Sequence, residues 1–222
     1  MSVRPGLAPS ASSAQGQLIF PERDGQPMGE TGFHVKGILA LVAALESRYR
    51  QQEAYVGANM FVYYDPSDPA EVVCPDVFVA FGVRRGERRI WKAWEEGKVP
   101  DVVFELTSKS TRREDRYTKP AVYESLGIRE YFLFDPEGDY LKPRLQGFRL
   151  TEDGYQALSG ERLSSEALRL EIFAEDYLLR LYDPASGEVL RTPAEHEAAA
   201  RNAEVELARL RAELERLKKG EK

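Results

Sequence analysis

One cysteine, Cys74, and two histidines, His34 and His196, are all the softer metal ligands that this 222-residue chain contains. A lone cysteine excludes an internal disulfide and a thiolate cluster. Two histidines so far apart in sequence argue against a His-built zinc site. Long apolar runs are missing too. None approaches the roughly 20 residues that a membrane-spanning helix needs. The first residues are rich in Ser, Ala, Gly and Pro rather than basic and then apolar, so no secretory signal is expected. A reducing, cytoplasmic setting fits this composition. Net positive charge is also lacking: the chain carries −6, which argues against a protein that coats nucleic acid electrostatically. The shortage is uneven, because the stretch from Arg84 to Lys119 holds 11 Lys/Arg against 7 Asp/Glu. That stretch reads either as a basic face for a polyanion or as ordinary solvated strand and helix faces.

What is present is a pattern of short strands around two helices. Residues 1–17 read as a disordered leader. Apolar residues at helical spacing predict a helix from Phe33 to Tyr49 behind a Thr31 N-cap. Strands are expected over Tyr55–Tyr64, Asp76–Val83 and Asp101–Thr107, with a loop or hairpin at Arg84–Arg89 and a short strand or loop entry at Ile90–Trp94. A second helix is expected from Arg112 to Leu126, stopping at Gly127, and then a buried strand at Tyr131–Phe134. Hairpin strands follow at Leu145–Thr151, Gly154–Leu158, Leu168–Phe173 and Tyr177–Tyr182. This order predicts a mixed α/β (α+β) domain over residues 18–192. From residue 193 to 222 the composition changes to a charged helix. Ala200, Ala203, Leu207, Leu210, Leu214 and Leu217 alternate spacings of three and four, a coiled-coil seam of about three heptads. It suits packing on its own domain and dimerisation with a second copy equally.

The candidate chemistry lies in Pro100–Tyr123. Glu105 sits in an otherwise apolar strand, where a carboxylate is costly unless it is paired, hydrogen-bonded or bound to a metal. Asp101 shares its strand face but lies about 13 Å away, too far to share one ion. Asp76 opens a different strand that can lie beside Glu105. Two such carboxylates, with no imidazole or thiolate, select a hard ion such as magnesium, and the matching chemistry is phosphodiester hydrolysis. Asp115, Lys119 and Tyr123 fall close to one face of the following helix. They read either as a support for that site or as a surface ion pair. Ser108 and Thr111 are better explained by strand termination and helix capping than as nucleophiles. Arg84, Arg85, Arg88 and Arg89, with Lys109 and Arg112, are candidates for phosphate contact, and a solvated hairpin explains the four loop arginines as well. Trp91 and Trp94 read as packing under that loop.

On the segments PMGETGFH, CPDVFVAFGV, WEEGKVPDVVFELTSKSTRRED, KPAVYESLGIREYFLFDP and YLKPRLQGFRL, the chain resembles the Uma-two family of restriction-endonuclease-like proteins. That family lies within the PD-(D/E)xK nuclease superfamily, and the resemblance runs from about Pro27 to Pro193. It implies a restriction-endonuclease-like core with a central mixed β-sheet flanked by helices. It also implies Asp76 and Glu105 as ligands for Mg2+ or Mn2+, with Glu30 as a third. His34 remains a helix-start residue with local hydrogen bonds. The superfamily's ExK pattern sets a lysine two residues after the glutamate, where this chain has Thr107. The resemblance implies that Lys119 of the next helix takes that role, supported by Asp115 and Tyr123, with Lys109 as the rival. The expectation is a metal-dependent endonuclease acting on DNA as a homodimer. The alternatives are a non-cleaving DNA-binding or regulatory module with the same fold, and an adaptor working through its coiled-coil tail.

Overall fold

The structure is a computed structural model that describes residues 18–22, 31–108, 111, 113–218 and 220. The leader expected over 1–17, Glu30, Lys109 and Arg112 lie outside the described residues. The chain divides into two compact units, Met1–Leu190 and Arg191–Lys222. No described helix is long and apolar enough to cross a membrane.

The first unit is built on a six-stranded sheet. Its strands are β1 (Ala54–Ala58), β4 (Val77–Phe81), β6 (Val102–Leu106), β7 (Glu130–Phe134), β8 (Leu145–Thr151) and β9 (Gly154–Ala157), hydrogen-bonded in that order. β6 and β7 run parallel, joined through helical structure, and the other neighbours are antiparallel. This is the expected mixed α/β fold with a central mixed sheet.

Strand alternation divides the core between the two faces. On one, Val77, Val79, Val102, Phe104, Leu106, Phe132 and Phe134 pack with Ile38, Leu41 and Leu45 of helix α1 (Gly32–Tyr49). The same face meets a four-stranded antiparallel sheet of β10 (Leu163–Ser165), β11 (Leu170–Glu175), β12 (Leu178–Asp183) and β13 (Glu188–Val189). On the opposite face Phe78, Ala80, Val103, Tyr131 and Leu133 pack with Tyr123, Ile128, Trp91 and Leu141. Glu105 has the parity of Val103, so it points into this second core.

α1 begins as expected, with the Thr31 hydroxyl accepting from the His34 N–H at 3.3 Å. It lies close on β6 at Gly37, where a Cβ would come within 2.7 Å of Leu106 Cδ2. A larger residue there would force the Leu106 side chain, on the strand that carries Glu105, to repack.

Three local expectations need correction. Tyr55–Tyr64 is two strands: the chain breaks at Asn59, which has φ 46°, a left-handed conformation that Asn tolerates better than most residues. The second piece, β2 (Val62–Tyr63), joins β3 (Val72–Val73) and β5 (Trp91–Lys92) in a small separate sheet. A short helix α2 (Ala93–Glu96) then ends at left-handed Gly97. The helix expected over 112–126 is two pieces, a π-helical turn at Glu114–Thr118 and helix α3 (Lys119–Ser125), with Pro120 in the first turn of α3. Proline donates no backbone hydrogen bond, so an α-helical ladder cannot run unbroken through it. The chain then leaves the helix through left-handed Gly127. β10 and β13 fall where no strand was expected.

The second unit contains helix α4 (Pro193–Lys218). Thr192 and Glu195 form a reciprocal cap: the Glu195 carboxylate accepts from the Thr192 N–H at 2.7 Å, and the Thr192 hydroxyl from the Glu195 N–H at 3.3 Å. That is a capping box with proline at the first helical position.

Candidate active site

The sheet register creates the site. β4 and β6 pair with Val77 opposite Phe104, so Asp76 lies beside Glu105 at the end of the ladder. Asp76 Oδ2 accepts the Leu106 N–H at 2.7 Å, and the Asp76 N–H lies 3.4 Å from Glu105 Oε2. Asp76 thereby closes the strand end as well as placing its carboxylate next to the buried one.

Glu105 is fully buried. Its Oε1 accepts from the Tyr123 hydroxyl at 2.5 Å and its Oε2 from Lys119 Nζ at 2.8 Å. Lys119 Nζ also lies 2.9 Å from Asp115 Oδ1, and Asp115 is itself buried. The surface ion-pair reading of Asp115 and Lys119 therefore fails. The Tyr131 hydroxyl donates to the Asp115 carbonyl at 2.5 Å, fixing the π-helical turn to β7. Such turns often occur at functional sites, because the wider turn redirects side chains.

Three carboxylates, Asp76, Glu105 and Asp115, thus surround one ammonium. Burial raises the Glu105 pKa well above the usual carboxylate range, with Asp76 and Asp115 adding to the shift and Lys119 opposing it. Burial alone would weaken the charged form of Lys119, but the Glu105, Asp115 and Asp76 carboxylates outweigh it and hold the lysine pKa well above its ordinary value. Burial and the Glu105 charge push Tyr123 up as well, so it stays a hydroxyl donor.

Thr107 is buried and continues the strand face of Glu105, where an ExK lysine would stand. Lys119 supplies the ammonium to Glu105 from the helix instead. The Ser108 N–H donates to Thr111 Oγ1 at 3.1 Å in the turn after β6. The π-helical turn that follows has no side-chain cap among the described residues, so the capping role expected of Thr111 is not seen.

His34 was underestimated. Its backbone N–H donates to the Thr31 cap of α1, but its imidazole is buried, with Nε2 3.5 Å from Asp76 Oδ2. The available signal was a lone histidine at a helix start, ahead of a strand that opens on an acid. Asp101 is not part of this site. It accepts from Lys98 Nζ at 2.6 Å and from the Phe81 N–H at 2.7 Å.

The loop arginines divide. Arg88 is held by Glu96 at 2.7 and 2.8 Å and lies over the rings of Tyr55 and Trp91. This corrects the phosphate-contact expectation for Arg88, whose guanidinium clamps its own loop. Arg85 donates to the carbonyls of Tyr49 and Gln52, and Arg89 reaches Glu22 at 3.1 Å. Arg84 is exposed. Trp91 is buried, with its indole N–H on the Lys98 carbonyl at 3.0 Å, as the packing reading expects. A second basic surface is not signalled by the loop arginines. Arg113, Arg116, Tyr117, Tyr140 and Leu141 line a cleft beside the π-helical turn, with the Arg116 guanidinium 5.5 Å from the Tyr117 ring centre.

Among the described residues no group of three or more His, Cys, Asp or Glu is arranged to hold a metal ion. The donor set still suits a hard divalent ion, because two oxygen ligands with water in the remaining positions is how magnesium is commonly bound. Three carboxyl groups facing one ammonium are what such an ion would engage.

The profile of the Uma2 family, described as "Putative restriction endonuclease", matches residues 20–180. The chain is also similar to a crystal structure at 1.96 Å of "a putative nuclease belonging to DUF820" from Anabaena variabilis ATCC 29413. The two share 15% identity and a TM-score of 0.49, with 74% of this chain and 86% of that chain covered. No curated protein matches.

Proposed function

The chain belongs to the Uma2 family, and we propose that it is a metal-dependent endonuclease that hydrolyses DNA phosphodiester bonds through Asp76, Glu105 and Lys119. The observation that most supports this reading is the 2.8 Å contact between Lys119 and Glu105. A lysine from the following helix meets the buried glutamate although the strand position for it holds threonine.

Asp76 and Glu105 would hold Mg2+ or Mn2+, with Glu30 as a further ligand. A bound divalent ion would supply a hard Lewis acid that offsets phosphate charge and eases deprotonation of water. Lys119 donates hydrogen bonds toward the attacking and non-bridging oxygens, where negative charge develops in the transition state. Asp115 orients that ammonium, and Tyr123 holds the Glu105 carboxylate in place. Tyr131 keeps the turn bearing Asp115 at its proper distance from the sheet. Arg113 and Arg116 meet backbone phosphates, and Lys109 and Arg112 belong to the same segment. A homodimer suits cleavage of both strands.

The test is cleavage of supercoiled plasmid with Mg2+ or Mn2+ by the parent, Glu105→Ala and Lys119→Ala. Cutting that needs the ion and is lost in both variants is expected. Equal cutting by all three would remove the assignment. One observation favours a second reading, a DNA-binding module that does not cut: both Glu105 oxygens already accept hydrogen bonds, from Tyr123 and from Lys119. Metal-independent DNA binding with no cutting under any ion would select it.

A further inference from the structure

The apolar seam of α4 is a feature that the hydrolytic centre leaves unused. Among the described residues this helix buries no side chain, and Leu207, Leu210, Leu214 and Leu217 are 48, 51, 53 and 71% exposed. The flanking charges indicate what covers them. With Ala200, Leu207 and Leu214 at position a of a heptad and Ala203, Leu210 and Leu217 at d, Glu206 and Glu213 occupy g. Glu204, Arg211 and Lys218 then occupy e.

In a parallel pair, each g residue faces the e residue of the next heptad on the other helix. Glu206 then meets Arg211 of the second copy and Glu213 meets Lys218, each twice by symmetry, with no like-charge pair. The four leucines stack on their counterparts in consecutive layers. Antiparallel pairing instead sets Glu206 against Glu213, which offsets the Glu204–Arg211 pair it also forms, and interleaves the leucines at the ends with Ala200 and Ala203. Within one helix Glu206 reaches only Arg209, at 3.7 Å, and Arg211 and Glu213 make no ion pair among the described residues.

We propose that residues 200–217 form a parallel, two-stranded coiled coil with a second copy of this chain. The capping box at Thr192 and Glu195 presets the helix start, which lowers the ordering needed on association. Four leucines and two alanines per chain make a short seam, so the pair is concentration- and salt-dependent. The proposal is independent of the nuclease reading, since it draws on none of Asp76, Glu105 and Lys119.

Its test is the mass of the full chain in solution as a function of concentration. A dimer is expected. Glu206→Lys with Glu213→Lys turns all four pairs repulsive and weakens association by about a hundredfold, as does Arg211→Glu with Lys218→Glu. Mixing the two double variants restores a dimer. Orientation is read by Leu217→Cys under mild oxidation, compared with the parent, whose only thiol is Cys74. A parallel pair sets the two new thiols side by side and gives a disulfide-linked dimer. Circular dichroism checks that the helix survives each change. A monomer at every concentration, a dimer or larger assembly indifferent to charge reversal, or a dimer without the Leu217→Cys crosslink would each overturn the proposal.

Discussion

Two buried glutamates lie on neighbouring parallel strands, Glu105 on β6 and Glu130 on β7, in very different company. Glu130 Oε1 accepts from Arg149 Nε at 3.0 Å and from the Glu166 N–H at 2.9 Å, while its Oε2 accepts from the Ser165 hydroxyl. Arg149 also binds Glu166 and the Ser164 carbonyl, both at 2.7 Å. One cation and several neutral donors answer that carboxylate, and the result ties the central sheet to β10. Around Glu105 three carboxylates share one ammonium. Burial of a carboxylate therefore does not identify a reactive site in this protein. What sets the Glu105 cluster apart is that its three carboxyl groups share a single ammonium.

Breaking the clamp should chiefly cost stability. Glu130→Ala leaves the Ser165 hydroxyl and the Glu166 N–H without their acceptor and Arg149 with Glu166 as its one carboxylate. It is expected to lower stability by about 2–3 kcal/mol, read by thermal or denaturant unfolding. Cleavage per folded molecule should persist. Glu105→Gln should do the reverse, reducing the cleavage rate about 10²–10³-fold while the protein remains folded. Lys119→Met should match that loss of rate and also lower stability, because it leaves the buried Glu105 and Asp115 without their cation.

The Glu105 cluster can also be titrated. The Glu105 pKa is raised in the fold, so its contribution to the stability of the metal-free protein is full below the ordinary carboxylate pKa. That contribution is lost as pH rises through the raised value. Metal binding requires the ionised carboxylate and runs the other way. Mn2+ affinity should climb about tenfold per pH unit until Glu105 is ionised, then level off. In Glu105→Gln both dependences should flatten.

Placing a lysine back on the strand sharpens the role of Lys119. Thr107→Lys in the Lys119→Met background should recover about tenfold in cleavage rate, because position 107 shares the strand face of Glu105. The smallest effect is expected from Tyr131→Phe, which removes the hydroxyl that holds the Asp115 carbonyl. About 1 kcal/mol of stability should be lost, with a few-fold fall in rate.

Much of the candidate site's geometry was legible in the chain. Period-two alternation placed Glu105 on a face of its strand, and helical spacing grouped Asp115, Lys119 and Tyr123. These are local regularities that a sequence carries directly. The π-helical turn was not readable, because its altered hydrogen bonding follows from Pro120 together with the tertiary anchor at Tyr131. The Glu130 clamp was missed because its partners lie 19 to 36 residues away on other strands. The Arg88 role was hidden in the same way, as an exposed basic loop in sequence is a folded contact with Glu96, Tyr55 and Trp91 in space. The strand order was less evident than its elements, since β2 leaves the main sheet only because Asn59 turns left-handed.

The most direct test of the contrast between the two glutamates is a calorimetric Mn2+ titration of the full chain beside Glu105→Gln and Glu130→Gln. One ion per chain should bind to the parent and to Glu130→Gln, with affinity reduced at least about tenfold in Glu105→Gln. Equal binding by all three, or none by the folded parent, would contradict the assignment of the Glu105 cluster as a metal site.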